Sequence, residues 1–338
     1  MLVKSHLTMF DGKKILITGG TGSLGTELTK RLLQTDADII RIFSRDEDKQ
    51  VQMESKLKDK RLRFLIGDIR DKARLVRAIE DIDIVIHTAA IKQVPVAEYN
   101  PFEAVQTNVY GSQNVIDACF INNVEKALAI STDKAANPFN TYGATKFLME
   151  RLFVSANYYK GKHKTDFLAV RYGNVLGSRG SIVKILVNQI QEGKKITITD
   201  PIMTRFNITM KQAIDLIFRA VENGKGGEVF VPKLRAYKVD DMKNAILELM
   251  NSQNEVEVIG VRPGEKYHES LISTDETRNV YESDVDYIIF EKQTQDPDSE
   301  FKEEKSDLSE QLSSKNVPLL TKEEIKEILI KEKLLSLN

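Results

Sequence analysis

A chain of 338 residues, 41% of them hydrophobic and 29% charged, has the balance of an ordinary globular protein with one large domain or two interleaved ones. Its formal net charge is −1 and its basic residues are spread along the chain, so the electrostatic footprint of a nucleic-acid binder is absent. A single cysteine, Cys119, excludes an internal disulfide framework, and no apolar run approaches the roughly 20 residues of a membrane span. The N-terminus lacks a signal-peptide core, and His6, His87, His163 and His268 show no paired metal-ligand spacing. These features point to a cytoplasmic protein that works on small molecules, without membrane, nucleic acid or metal, and with Cys119 as a buried structural thiol.

In chain order, Lys14 to Thr18 reads as a short apolar strand. GGTGSLG follows, and then a helical pattern through Leu24, Leu28, Leu32 and Leu33. In a strand, glycine turn and helix of this kind, Gly19 permits the tight turn, Gly22 lets backbone approach a pyrophosphate and Gly25 lets helix pack on strand. Thr21, Ser23 and Leu24 complete the candidate phosphate loop. The GxxGxxG spacing resembles the extended short-chain dehydrogenase/reductase superfamily. That resemblance implies an α/β fold, a Rossmann doubly wound parallel sheet with a smaller substrate-binding domain.

The second strand, Ile39 to Phe43, runs into Ser44, Arg45, Asp46 and Lys49. An acidic residue at this strand end would hold a free ribose 2′-hydroxyl, whereas a basic one accommodates a 2′-phosphate, so Arg45 and Lys49 favour NADP. Asp46 is expected to cap the next helix instead. Leu62 to Ile66 leads to Gly67, Asp68 and Ile69, where such folds usually meet adenine; Asp68 could alternatively cap the helix from Asp71. Ile82 to His87 leads to Thr88, Ala89, Ala90 and Lys92, where small residues let a cofactor pass closely. His87 is expected to be a satisfied core histidine.

Ala127 to Ile130 reads as a buried strand that delivers Ser131, Thr132, Asp133 and Lys134 at its C-terminal end, where open parallel sheets bind ligands. Asn137-Pro138 breaks the chain before the pattern YGATKFLMERLF, in which Tyr142 and Lys146 share one helix face. A cation that close favours the phenolate, which makes Tyr142 a candidate general base for a substrate hydroxyl. Residues 1–173, completed by about 204–232, are therefore expected to form the NADP-binding Rossmann domain. GNVLGSRGS from Gly173, a helix at Ile182 to Ile190, ITITDPIMTRFNIT and VRPGEKYHESL assign 174–203 and 233–290 to substrate binding. Residues 291–338 form a charged C-terminal arm, expected to be mobile from Gln293 to Lys315, and then a helix with Thr321 and Glu324 as its capping box.

STDKAANPFNTYGATK, AAIKQVP from Ala89, RYGNVLGSRGS from Arg171, MTRF from Met203 and RPGEK from Arg262 resemble the inverting UDP-N-acetylglucosamine 4,6-dehydratases over roughly residues 10 to 290. That family feeds pseudaminic acid and related surface sugars. The resemblance implies NADP, a UDP-N-acetylglucosamine substrate, a homo-oligomer and catalytic roles for Thr132, Asp133, Lys134, Tyr142 and Lys146. Tyr142 would take the proton of the 4-hydroxyl while Lys146 lowers its pKa and holds the nicotinamide ribose. Lys134, neutral by desolvation, would remove the proton from carbon 5, and Asp133 would protonate the hydroxyl leaving carbon 6. Val175 would line the cofactor, and Lys92, Asn174, Arg205, Arg262 and Glu265 would surround the nucleotide sugar. Retaining relatives typically carry Asp-Glu where this chain has Asp133-Lys134. A 4-epimerase on the same fold needs the tyrosine and lysine but no acid–base pair for carbon 5. A silent NADP-binding sensor is expected to have lost Tyr142 or Lys146.

Overall fold

The computed structural model describes residues 8–290 and 304–335. Six parallel strands carry the first half of the chain: β1 (Lys14–Thr18), β2 (Ile39–Ser44), β3 (Leu62–Ile66), β4 (Ile84–His87), β5 (Lys126–Ile130) and β6 (Asp166–Val170). They lie in the order β3-β2-β1-β4-β5-β6, so the direction of winding reverses beside β1. Strand Glu228–Pro232 extends the sheet parallel to β6, and Asp286–Phe290, Val280–Glu282 and Glu304–Lys305 continue it antiparallel.

Burial explains why these segments are strands. β4 is buried throughout, as are all but the first residues of β1, β5 and β6. Such near-continuous apolar runs suit a parallel sheet covered on both faces. Successive side chains enter opposite cores. Ile15, Ile17, Ile40 and Ile86 pack with Leu28 and Ile217 on one side. Leu16, Val85, Ala127 and Ala129 pack with Val115, Phe153 and Phe167 on the other. Between the strands run α1 (Ser23–Leu32), α2 (Glu47–Leu57) and α3 (Lys72–Ile79), then α4 (Val94–Tyr99), α5 (Pro101–Val105), α6 (Gly111–Ile121) and α7 (Thr141–Tyr159).

Several expectations meet the structure directly. Asp46 caps α2, accepting from the Lys49 amide at 3.0 Å. Asp71, not Asp68, caps α3. Cys119 is buried in α6. β4 begins two residues later than its apolar run, because Asp81 takes a left-handed conformation and the Ile82 amide donates back to Ile79 in a turn.

A third core joins Leu176, Val183, Leu186, Ile198, Met203, Tyr237, Met242 and Ile246 to Leu320, Ile325 and Leu329. The last two residues belong to helix Lys322–Lys331, whose capping box of Thr321 and Glu324 is present. The expectation of a mobile arm needs correction where it can be seen. Glu304–Lys305 pairs with the sheet edge and Leu312–Ser313 pairs with Ser270–Ile272. Composition misled here because serines anchor this polar run: Ser313 and Ser314 are buried and bond the backbone of Glu269. The remainder of that segment, 291–303, lies outside the described residues. Among the described residues, no helix is long and apolar enough to cross a membrane.

Candidate active site

A cavity of about 800 Å³ runs along the C-terminal ends of β1 to β6, beside the point where the winding reverses. At one end lies the glycine turn. Gly19 adopts φ +64°, and a Cβ there would stand 2.8 Å from the Ala89 Cα, so only glycine lets these two loops pass. Gly22 at the N-cap of α1 offers no side-chain cap, which leaves the first amides of the helix directed at the cavity. A dinucleotide fits this cradle: backbone donors at a helix start, with no side chain in the path of a diphosphate.

Gly19, Thr21, Gly22, Ser23, Leu24, Gly25, Ser44, Arg45, Lys49, Asp68, Ile69, Ala89, Lys92 and Val175 all line the cavity. At its rim Arg45 is exposed and lies 3.6 Å from Asp68, while Lys49 meets Asp46. Ser44 is turned inward, accepting from Gln50 at 2.9 Å. Lys92 donates to the Arg179 carbonyl at 3.3 Å, and burial, then Arg179, pull its pKa down. Sequence reasoning missed Arg179. It reaches the glycine turn, donating to the Thr21 carbonyl at 2.7 Å, and its place in GNVLGSRGS was the available signal.

His87 is a core histidine. Its ring meets Thr18 at 2.7 Å and Ser112 at 3.0 Å, and burial pushes its pKa down to about 3, so it stays neutral.

The chemistry is concentrated where β5 ends. Ser131 and Asp133 donate backbone amides to Val170 and Tyr172, so the chain leaves the sheet alongside the end of β6. It then makes one tight turn, Asp133–Ala135. Asn140 caps α7, accepting from the Gly143 amide at 2.7 Å, while its own amide donates to the Gly264 carbonyl at 2.7 Å. The RPGEK loop is thereby tied to the start of the helix that bears Tyr142 and Lys146. A Cβ at Gly143 would collide with the Lys134 carbonyl oxygen, so that glycine lets α7 press against the turn.

Lys134 uses all three ammonium donors, on Asp133 Oδ1 at 3.0 Å, Asn174 Oδ1 at 3.1 Å and Glu269 Oε1 at 3.1 Å. Thr132 donates its hydroxyl to Asp133 Oδ1 at 2.9 Å. Thr132, Lys134, Tyr142 and Lys146 line the cavity; Asp133 is fully buried and does not. Asn174, Arg205, Arg262 and Glu265 line it as well. Arg205 is held by the carbonyls of Thr204 and Tyr267, and Arg262 pairs with Glu265 at 3.2 Å.

The electrostatics correct two expectations. Burial alone would neutralise Lys134, but Asp133 and Glu269 outweigh it and raise its pKa, so the ammonium is the resting form. Tyr142 is pushed up to about 12 by burial, and the groups that oppose this are Lys134 and the Thr132 hydroxyl rather than Lys146. Lys146, for its part, is pulled down to about 7 by burial against the attraction of Glu150. Burial drives the Asp133 carboxyl upward, against Lys134 and with Glu269 adding to the rise. Glu269 was not anticipated. One glutamate in the polar stretch YHES has no periodicity to mark it, and its contact with Lys134 is made only by the fold.

The family described as polysaccharide biosynthesis protein matches residues 15–291. The chain is similar to the UDP-N-acetylglucosamine 4,6-dehydratase (inverting) of Campylobacter jejuni subsp. jejuni serotype O:23/36 (strain 81-176), 48% identical over 283 residues that cover 83% of this chain and 84% of that protein. It is also similar to the UDP-glucose 4-epimerase of Rickettsia rickettsii (strain Sheila Smith), 40% identical over 337 residues, 95% of this chain and 96% of that protein. Among solved structures, Pen from Bacillus thuringiensis superposes with a TM-score of 0.90 at 40% identity, covering 96% of this chain and 99% of that one.

Proposed function

The chain belongs to the polysaccharide biosynthesis protein family, and from that premise we propose that it is an inverting UDP-N-acetylglucosamine 4,6-dehydratase, forming a UDP-2-acetamido-2,6-dideoxy-4-keto-hexose for surface-glycan synthesis. The observation that carries this reading is the Asp133–Lys134 pair at the mouth of the parallel sheet, next to Tyr142. A 4-epimerase would have no use for it.

NADP is the cofactor in this reading. Gly19 to Gly25 hold its diphosphate, Arg45 and Lys49 its 2′-phosphate, and Asp68 and Ile69 its adenine, while Ala89 and Val175 line its path. Bound there, it supplies reversible hydride acceptance and ends each turnover in its starting state. Tyr142 takes the proton of the 4-hydroxyl. Lys146, pulled down to about 7 by burial, holds the nicotinamide ribose and can take up the proton that the phenol gives up. The ketone at carbon 4 acidifies carbon 5, and Lys134 removes that proton. Asp133 is set back from the cavity, so its proton reaches the departing hydroxyl through Thr132, whose hydroxyl donates to Asp133 at rest and turns to accept from it as the proton moves out. The hydride taken from carbon 4 is returned to carbon 6, a solvent proton adds to carbon 5 from the opposite face to give inversion, and Tyr142 releases the 4-hydroxyl proton to solvent. Arg205 and Arg262 serve the substrate diphosphate, for which their planar donors are suited, while Lys92, Asn174 and Glu265 serve the sugar.

Residues 1–173 with 204–232 form the cofactor-holding part in this reading, and 174–203 with 233–290 the substrate part. The protein works in the cytoplasm, which suits its buried free thiol. Exposed Tyr99, Phe102 and Tyr110 support assembly as a homo-oligomer, to be checked by solution mass. Incubation with UDP-N-acetylglucosamine tests the activity: the expected product has lost one water and is inverted at carbon 5. A product of unchanged mass, epimerised at carbon 4, would replace the dehydratase with the epimerase.

A further inference from the structure

Glu269 stands between the RPGEK loop and strand Ser270–Ile272, with its side chain only 3% exposed. Its Oε1 lies 3.1 Å from the Lys134 ammonium, and its Oε2 is buried without a hydrogen-bond partner, as is Asp133 Oδ2. Its backbone is clamped from the C-terminal segment. The Glu269 amide donates to Ser314 Oγ at 3.0 Å, and the Glu269 carbonyl accepts from the Ser314 amide at 2.8 Å and from Ser313 Oγ at 3.2 Å. The charged groups that act on it are Asp133 and Lys134 from the turn after β5, Arg205 from strand Thr204–Phe206 and Lys266 from its own segment, while Tyr142 of α7 and Tyr237 of strand Ala236–Lys238 line the same cavity and the neighbouring His268 bonds Thr204.

One ammonium set between two buried carboxylates leaves an excess negative charge, which one added proton relieves; burial raises the Asp133 carboxyl, whereas burial of Glu269 is outweighed by Lys134, which holds it low. The relay therefore starts with that proton on Asp133, Lys134 charged and Glu269 ionised. Elimination asks for something else at one moment: a protonated acid for the leaving hydroxyl and a neutral amine for carbon 5. Without a third group, Lys134 would have to lose its proton to water.

We infer that Glu269 is the internal acceptor for that proton, so that Asp133, Lys134 and Glu269 form a relay that carries the carbon 5 proton to the departing hydroxyl. The inference rests on the dehydratase reading. Lys134 Nζ passes a proton to Glu269 Oε1, and its freed lone pair takes the proton from carbon 5 as the C–O bond at carbon 6 breaks. Asp133 gives its proton, by way of the Thr132 hydroxyl, to the leaving oxygen, and water forms. Lys134 then hands a proton to Asp133 and recovers one from Glu269. The trio ends with the protons it began with. Glu269 does not touch the reacting atoms; it is a positioning residue that acts through Lys134.

The test is Glu269→Gln, which keeps size and removes the acceptor, assayed in D2O across pH by deuterium entry at carbon 5 of the product from UDP-N-acetylglucosamine. Product formation should fall roughly 10²-fold near pH 7 and recover as pH rises, because Lys134 then discharges to solvent. Reduction of bound NADP in single turnover should stay at the wild-type level. Glu269→Asp restores a carboxylate and should regain the wild-type pH profile at a reduced rate. A rate in Glu269→Gln equal to or above wild type would show that Glu269 merely pairs with Lys134, and a loss that is equal at every pH and shared by Glu269→Asp would show a structural role. Either overturns the relay while deuterated product from wild type upholds the dehydratase. Absence of that product from wild type overturns the reading and the relay together.

Discussion

Two buried cations in this protein each sit between two carboxylates, and they differ in what is left over. Arg171, fully buried at the end of β6, spends all five of its N–H groups: Glu150 and Glu276 each accept a forked pair at 2.6 to 3.0 Å, and the Leu271 carbonyl accepts the fifth at 2.9 Å. No oxygen of that trio is stranded. Lys134 is also fully bonded, yet each of its carboxylates keeps one buried oxygen without a partner. A guanidinium cannot give up its proton, so the Arg171 trio can only hold the strand, α7 and the turn at Glu276 together. An ammonium can, and the Lys134 trio opens on the cavity. Saturation marks the fastener and leftover capacity marks the reactive group.

Replacing each cation should break the two trios in different ways. Lys134→Ala should leave cofactor binding intact and lower elimination by about 10² to 10⁴-fold, read as loss of product and of deuterium exchange at carbon 5. A partial signal of reduced nicotinamide should survive in single-turnover mixing. Wild-type exchange in that variant would make Lys134 a binding residue only. Arg171→Met should act on the fold instead, costing about 3–5 kcal/mol because two buried carboxylates lose their partner, as measured by denaturant unfolding. Burial opposes ionisation of Glu276, but Arg171 outweighs it and holds the carboxyl below its usual range. That stabilisation is present above the ordinary glutamate pKa and is lost as pH falls, so wild type and variant should converge in acid. Equal stabilities at neutral pH would show that the Arg171 trio is no fastener.

Charges at the rim sharpen the contrast, since exposed pairs contribute little to folding. Removing both Arg45 and Lys49 should leave the melting temperature in place and weaken NADP by roughly tenfold or more while sparing NAD, as charge-assisted bonds to phosphate are lost. Equal weakening of both cofactors in a titration would move the 2′-phosphate elsewhere. The smallest effect belongs to Thr321→Ala at the head of helix Lys322–Lys331, about 1 kcal/mol of stability, with turnover unchanged if that helix only packs.

Much of this was legible in the sequence because it is local. Strand, glycine turn and helix announce themselves within a dozen residues, and Tyr142 and Lys146 share a helix face by spacing alone. His87 closing a strand, Asp46 ahead of α2 and the capping box at Thr321 are likewise short-range signals. What could not be read is set by the fold. Glu269 meets Lys134 across the whole substrate part of the chain, and its burial depends on serines in a segment whose composition looked like a loose tail. The protonation of Lys134 was misjudged for the same reason: Asp133 and Glu269 together outweigh desolvation, and Glu269 is brought to it only by the fold. Tyr142 likewise answers to Lys134 and Thr132, which the tertiary structure brings to it.

The most direct test of the central claim is a single incubation of the wild-type protein with NADP and UDP-N-acetylglucosamine in D2O, followed by mass and configuration analysis of the product. The expected result is a 4-keto-6-deoxy sugar lacking one water, inverted at carbon 5 and carrying deuterium there, with no net accumulation of reduced cofactor. A product of unchanged mass with protium retained at carbon 5 would contradict it and make the Asp133–Lys134–Glu269 trio a structural cluster on an epimerase.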